Sequence, residues 1–150
     1  MSKLVRATEY QEIAEKLIDK YVVAFSHIVL DEVLFLKEEE KSPKGKYADT
    51  RIVRAPYTYF SDYKFIITFY ENNMLSMTEA QKVLLVYHEL LHIDPSFSKL
   101  VSHDIQDFRI LISKYGACWD IDPNLPNILE EEDKDMDISN TDDDEEPDFM

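Results

Sequence analysis

One cysteine, no long apolar run and no surplus of basic residues: these three shortages in a chain of 150 residues narrow what it can be. A lone Cys118 cannot close an intramolecular disulfide, which fits a reducing compartment. It sits beside Trp119 with no histidine close in sequence, so its sulfur reads as a small buried hydrophobe and not as a nucleophile. A membrane span needs about 18 consecutive apolar residues, and no stretch approaches that length. The opening Met1-Ser2-Lys3-Leu4-Val5-Arg6 runs straight into an amphipathic pattern without the apolar centre of a secretory signal. Together these features give the expectation of a cytoplasmic protein with no membrane partner. There are 16 basic against 31 acidic residues, and the field of such a chain repels phosphates, so nucleic acid is not an expected direct ligand.

The formal net charge of -15 is unevenly placed. From Glu130 to Met150 twelve acids face the single Lys134, so that stretch carries -11 and the remainder an ordinary -4. The tail has too little apolar content to offset the entropy of ordering it, and residues 130–150 are expected to be a disordered acidic appendage. The remaining 1–129 fit one domain, because 45% hydrophobic residues with 12% aromatics are enough for a core.

Apolar residues at Tyr10, Ile13, Ala14, Leu17, Ile18 and Tyr21 recur at helical spacing, and Thr8 with Gln11 occupies capping-box positions, which predicts a helix over about 8–20. The β-branched and aliphatic run His27 to Leu36 predicts a strand, followed by a loop containing Pro43 and Gly45. Two more strands are expected over Thr50 to Ala55 and Tyr63 to Tyr70, with Pro56 at an edge or a strand end. A strongly apolar helix follows, with Ser76 and Glu79 as one capping box and Thr78 with Gln81 as another. A second helix is expected from about Ser102 to Tyr115, packing Ile105, Phe108, Leu111, Ile112 and Tyr115 inward and ending at Gly116. Helix, strands, helix, helix in that order argue for an α+β fold with a small, mostly antiparallel sheet packed on the helices. No internal repeat is visible.

Within the apolar helix lies His88-Glu89-Leu90-Leu91-His92. Two histidines four apart share one helix face with Cβ atoms about 5 to 6 Å apart, so both imidazoles can reach one metal ion. The pattern points to zinc held by His88 and His92, with Glu89 placed to take a proton from water. A catalytic zinc generally takes three protein ligands. His103 is the expected third, because Asp94, Pro95 and Ser96 supply turn chemistry that can reverse the chain. Asp104 and Asp107 are rivals for the position, or acceptors that orient a ligand imidazole. His27 stands outside the cluster and reads as structural; Tyr87 and Tyr115 read as core aromatics before oxyanion donors, and Arg109 as half of a solvated ion pair.

The run Leu84 to Ile93, then His103-Asp104-Ile105-Gln106-Asp107-Phe108 and Tyr115-Gly116, resembles the phage metallopeptidase family, a group of small zincin-like proteins. The resemblance covers most of residues 1–120 and leaves out the acidic tail. It implies zinc bound by His88, His92 and His103, with Glu89 catalytic, a gene carried by a phage or prophage, and the host cytoplasm as the location. Two function classes follow. The first is a peptidase acting on a peptide or protein of unspecified sequence. The second is a non-catalytic zinc-binding protein whose acidic tail occupies a basic partner or mimics the charge of a nucleic acid.

Overall fold

The apolar stripe of the first twenty residues is realised as α1 (Thr8–Lys20), whose Tyr10, Ala14 and Leu17 are buried. The structure, a computed structural model, describes residues 2–102, 111, 115 and 119–130. The expected Thr8/Gln11 capping box does not form: the helix starts one residue early, so the cap position falls on Ala7, which has no side-chain acceptor. Ala7 is instead pinned by its own N–H, which donates to Phe35 O at 2.9 Å. A single turn, α2 (Val22–Phe25), extends the helical segment and buries Ala24 and Phe25.

One strand, β1 (Leu4–Arg6), precedes these helices, and three follow them: β2 (Val33–Glu38), β3 (Ala48–Ile52) and β4 (Phe65–Tyr70). They lie in the order β1-β2-β4-β3, with β1/β2 and β4/β3 antiparallel and the central β2/β4 pair parallel. Two of the three pairings are thus antiparallel, around a parallel centre that no local pattern announces. The strand expected from His27 begins six residues late. Leu30–Glu32 forms a short 3-10 turn, and the His27 imidazole is engaged with Ile93 O at 3.1 Å. β1 was not anticipated, since three residues are too few to show a period.

Alternation along the strands sends Val33, Phe35, Phe65, Ile67 and Phe69 to one face, each at most 2% exposed. Across that face lies α3 (Glu79–Leu90), with Val83, Leu84, Val86, Tyr87 and Leu90 buried. Tyr87 packs edge-on against Tyr21 and Phe25, at ring-centre distances of 5.3 and 4.9 Å. The aromatic-core reading of Tyr87 therefore holds.

Of the two capping boxes offered for α3, Thr78 with Gln81 is the one that forms. Gln81 N donates to Thr78 Oγ1 at 3.1 Å, and Thr78 N donates to Gln81 Oε1 at 2.7 Å. Ser76 lies outside the cap because Glu79 is already the first helical residue. The amide of Gln81 also donates to Asp122 O at 2.9 Å, tying the C-terminal segment to the start of α3. That segment ends with Ile128 in the core, its carbonyl accepting from Lys20 Nζ.

Most of the helix expected over 102–115 lies outside the described residues, including Ile105, Phe108 and Ile112, as does Gly116. Leu111 is fully buried and Tyr115 packs against the core, as expected of both. Among the described residues the fold is α+β, with a four-stranded mixed sheet and three helices, compatible with a zincin-like arrangement. No helix among them is long and apolar enough to cross a membrane.

Candidate metal centre

The last residue of α3 is Leu90, so of the three polar residues of the motif His88 and Glu89 stand in the helix. His92 belongs to the turn that follows. The helical relation between the two histidines survives because Leu91 keeps helical angles, φ -66° and ψ -17°, and His92 N donates to Glu89 O at 3.1 Å. The imidazole centres are 5.2 Å apart with the ring planes at 66°. One potential ligand atom from each of His88, Glu89 and His92 lies within 4.8 Å of the others.

A short hairpin holds His92. Its Nδ1 lies 2.7 Å from Val101 O, and a carbonyl can only accept, so Nδ1 carries the proton and Nε2 is the nitrogen suited to a metal. The two chains of the hairpin are joined by Val101 N to His92 O at 2.6 Å, Asp94 N to Lys99 O at 3.1 Å and the Ile93–Leu100 bridge. Its tip is organised by Asp94, whose Oδ1 accepts from Ser98 N at 2.9 Å and Lys99 N at 3.0 Å, while Oδ2 accepts from the Ser96 hydroxyl at 2.7 Å. The Ser98 amide first, then the Ser96 hydroxyl and the Lys99 amide, pull the Asp94 pKa down to about 2 against the opposing effect of its burial. Phe97 takes the left-handed φ of 58° that the turn requires, and its ring packs on Phe65 at 5.1 Å.

The reversal expected from Asp94, Pro95 and Ser96 is therefore present, and it places Val101 against His92. His103, Asp104, Asp107 and Arg109 lie outside the described residues, as does Cys118. His27 has the structural role expected of it: its Nε2 contacts the backbone carbonyl of Ile93, next to His92.

Glu89 is 3% exposed. Its Oε1 accepts from the hydroxyl of Thr50, on β3, at 2.7 Å. On the other side of the site, the indole of Trp119 stands 6.2 Å from the His88 ring, centre to centre. Sequence reasoning found neither Thr50 nor the Val101 carbonyl. A threonine in a polar strand carries no spacing signal, and a backbone acceptor carries no residue signal at all.

Two imidazoles beside a buried carboxylate are the donor types that zinc prefers, and the Val101 carbonyl supplies the outer contact that ligand histidines usually have. The residues present fit such an ion. Comparisons with curated proteins and with solved structures find no match. A family model does match residues 2–131, and the chain belongs to the family it describes, Putative phage metallopeptidase.

Proposed function

We propose that the protein is a zinc-dependent peptidase with Glu89 as general base. The observation that carries this reading is a buried carboxylate within 4.8 Å of two imidazole nitrogens, one of whose rings is fixed by a backbone carbonyl. His88 and His92 would hold the ion, and His103 is the proposed third ligand, with Asp104 or Asp107 as alternatives. Bound there, zinc would supply Lewis acidity to a carbonyl and to water. The chain's own part is proton handling: Glu89 accepts a proton from the attacking water and returns it to the departing amine. Because the Nδ1–H of His92 is donated to Val101 O, Nε2 is the nitrogen of that ring that would meet the ion.

Metal analysis of the purified protein tests this directly. About one zinc per chain is expected, and none in His88→Ala. The single tryptophan gives a second readout, since Trp119 lies beside His88 and a paramagnetic ion such as Co²⁺ bound by that histidine quenches its emission. Metal-free protein whose emission is indifferent to Co²⁺ would end the reading.

The hairpin should matter to affinity. Asp94→Ala removes the acceptor of three hydrogen bonds that shape the turn, and the Val101 carbonyl then loses its fixed place against His92. Loosening the support of a ligand imidazole costs about 10-fold or more in metal affinity, so competition with a chromophoric chelator should show that loss with metal stoichiometry unchanged.

The working domain is proposed to end near residue 129, with the acidic tail dispensable for the site. Ile128 already closes the core under Lys20. A chain truncated after Glu130 is expected to keep its metal and its melting temperature; loss of either would assign the tail a structural part.

A further inference from the structure

The strand β3 is an edge of the sheet, yet one of its residues reaches the centre of the site. Pairing of Thr50 with Ile67 and of Ala48 with Phe69 puts Ala48, Thr50 and Ile52 on the face that meets α3, and Asp49 with Arg51 on the other. From that face the Thr50 hydroxyl lies 2.7 Å from Glu89 Oε1 and 3.2 Å from Glu89 O. A hydroxyl has one proton to give. The shorter contact is also the charge-assisted one, and such bonds are roughly twice as strong as neutral ones, so the carboxylate takes the proton.

We infer that Thr50 is a positioning residue for Glu89, resting on the assignment of Glu89 as general base. A glutamate has three rotatable bonds and, unbraced, spreads its carboxylate over several rotamers. Threonine is stiff about χ1, and its backbone is held in register by β4, so the hydroxyl is a fixed anchor. With Oε1 anchored, fewer rotamers are open to the carboxylate, and the group that would take the proton is held beside the two histidines. Misplacement of a reacting group by about 1 Å costs on the order of 100-fold in rate, which is the scale at which such bracing matters.

A purely structural role, in which Thr50 only staples β3 to the Glu89 carbonyl, predicts something different. It would change stability and leave ligand recognition alone. The two separate in zinc-loaded full-length protein titrated with acetohydroxamate, a small zinc chelator whose hydroxyl proton is accepted by a neighbouring carboxylate. Wild type, Thr50→Val, Thr50→Ser and Glu89→Gln are compared, with zinc content and circular dichroism recorded for each. The expected result is one zinc per chain in all four, hydroxamate affinity about 10-fold weaker in Thr50→Val and Glu89→Gln, and affinity within about twofold of wild type in Thr50→Ser. Should Thr50→Val fail to fold, Thr50→Ala takes its place in the same measurements.

Wild-type affinity in Thr50→Val alongside a loss in Glu89→Gln would overturn the inference while leaving the general base in place. Indifference to Glu89→Gln itself would sink the catalytic assignment, and the role of Thr50 with it.

Discussion

Replacing Glu89 with glutamine is expected to lower hydrolysis by about 1,000-fold, within the range of 10²–10⁴ that a positioned general base contributes. The substitution conserves shape. A glutamine oxygen can still accept from the Thr50 hydroxyl that lies 2.7 Å from Glu89 Oε1, so the side chain keeps its place. What disappears is the ability to bind a proton, because an amide is not a base near neutral pH. Zinc content should stay at one per chain, since the proposed ligands are the imidazoles. The measurement is turnover of a peptide mixture by metal-replete protein, analysed by mass spectrometry, with wild type and variant at matched zinc content. Hydrolysis at the wild-type rate in Glu89→Gln would remove the mechanism. Glu89→Asp should be nearly as poor, since a carboxylate one methylene shorter cannot both meet Thr50 and remain beside the histidines.

That prediction rests on a site only half of which could be read from the residues in order. His88, Glu89 and His92 announce themselves by spacing, because a helical repeat places positions i and i+4 on one face, and the structure does gather them within 4.8 Å. The helix nevertheless stops at Leu90, and His92 is positioned by a hairpin whose decisive contacts are backbone atoms and the Asp94 carboxylate. Asp94 could be read as a turn former but not as the organiser of a ligand's support. Thr50 was invisible for a different reason: its contact spans 39 residues of sequence and depends on which strand lies at the edge next to α3. Strand order is a long-range property.

The same division holds for the fold. α1 and α3 were legible from their period, as was β4 from its composition, with ends uncertain by a few residues. The apolar run from His27 misled because β-branched residues also serve in turns that a partner holds, here the Ile93 carbonyl on His27. The parallel pairing of β2 with β4 left no local trace. Between those strands the chain passes through β3, which pairs with β4 and not with β2.

Zinc should raise the melting temperature of the metal-free protein by about 8–16 °C, and this follows from where the ligands sit. His88 belongs to the end of α3 and His92 to the hairpin that follows, so an ion bound by both adds a cross-link between the helix end and the hairpin. An ion that binds only the folded chain adds about 4 kcal/mol at a free concentration 1,000 times its dissociation constant. For a domain of about 150 residues each kcal/mol corresponds to roughly 2–4 °C. Chelator should reverse the shift fully. His88→Ala should abolish it, while its metal-free melting temperature stays near that of metal-free wild type, because a half-buried imidazole at a helix end contributes far less to packing than the fully buried Tyr87 or Leu84. The Glu89→Gln variant should show the full shift, and so separates binding from catalysis in a single instrument. A shift of equal size in His88→Ala would mean that zinc stabilises the chain from some other site, and the pair of histidines would then have no claim to the metal.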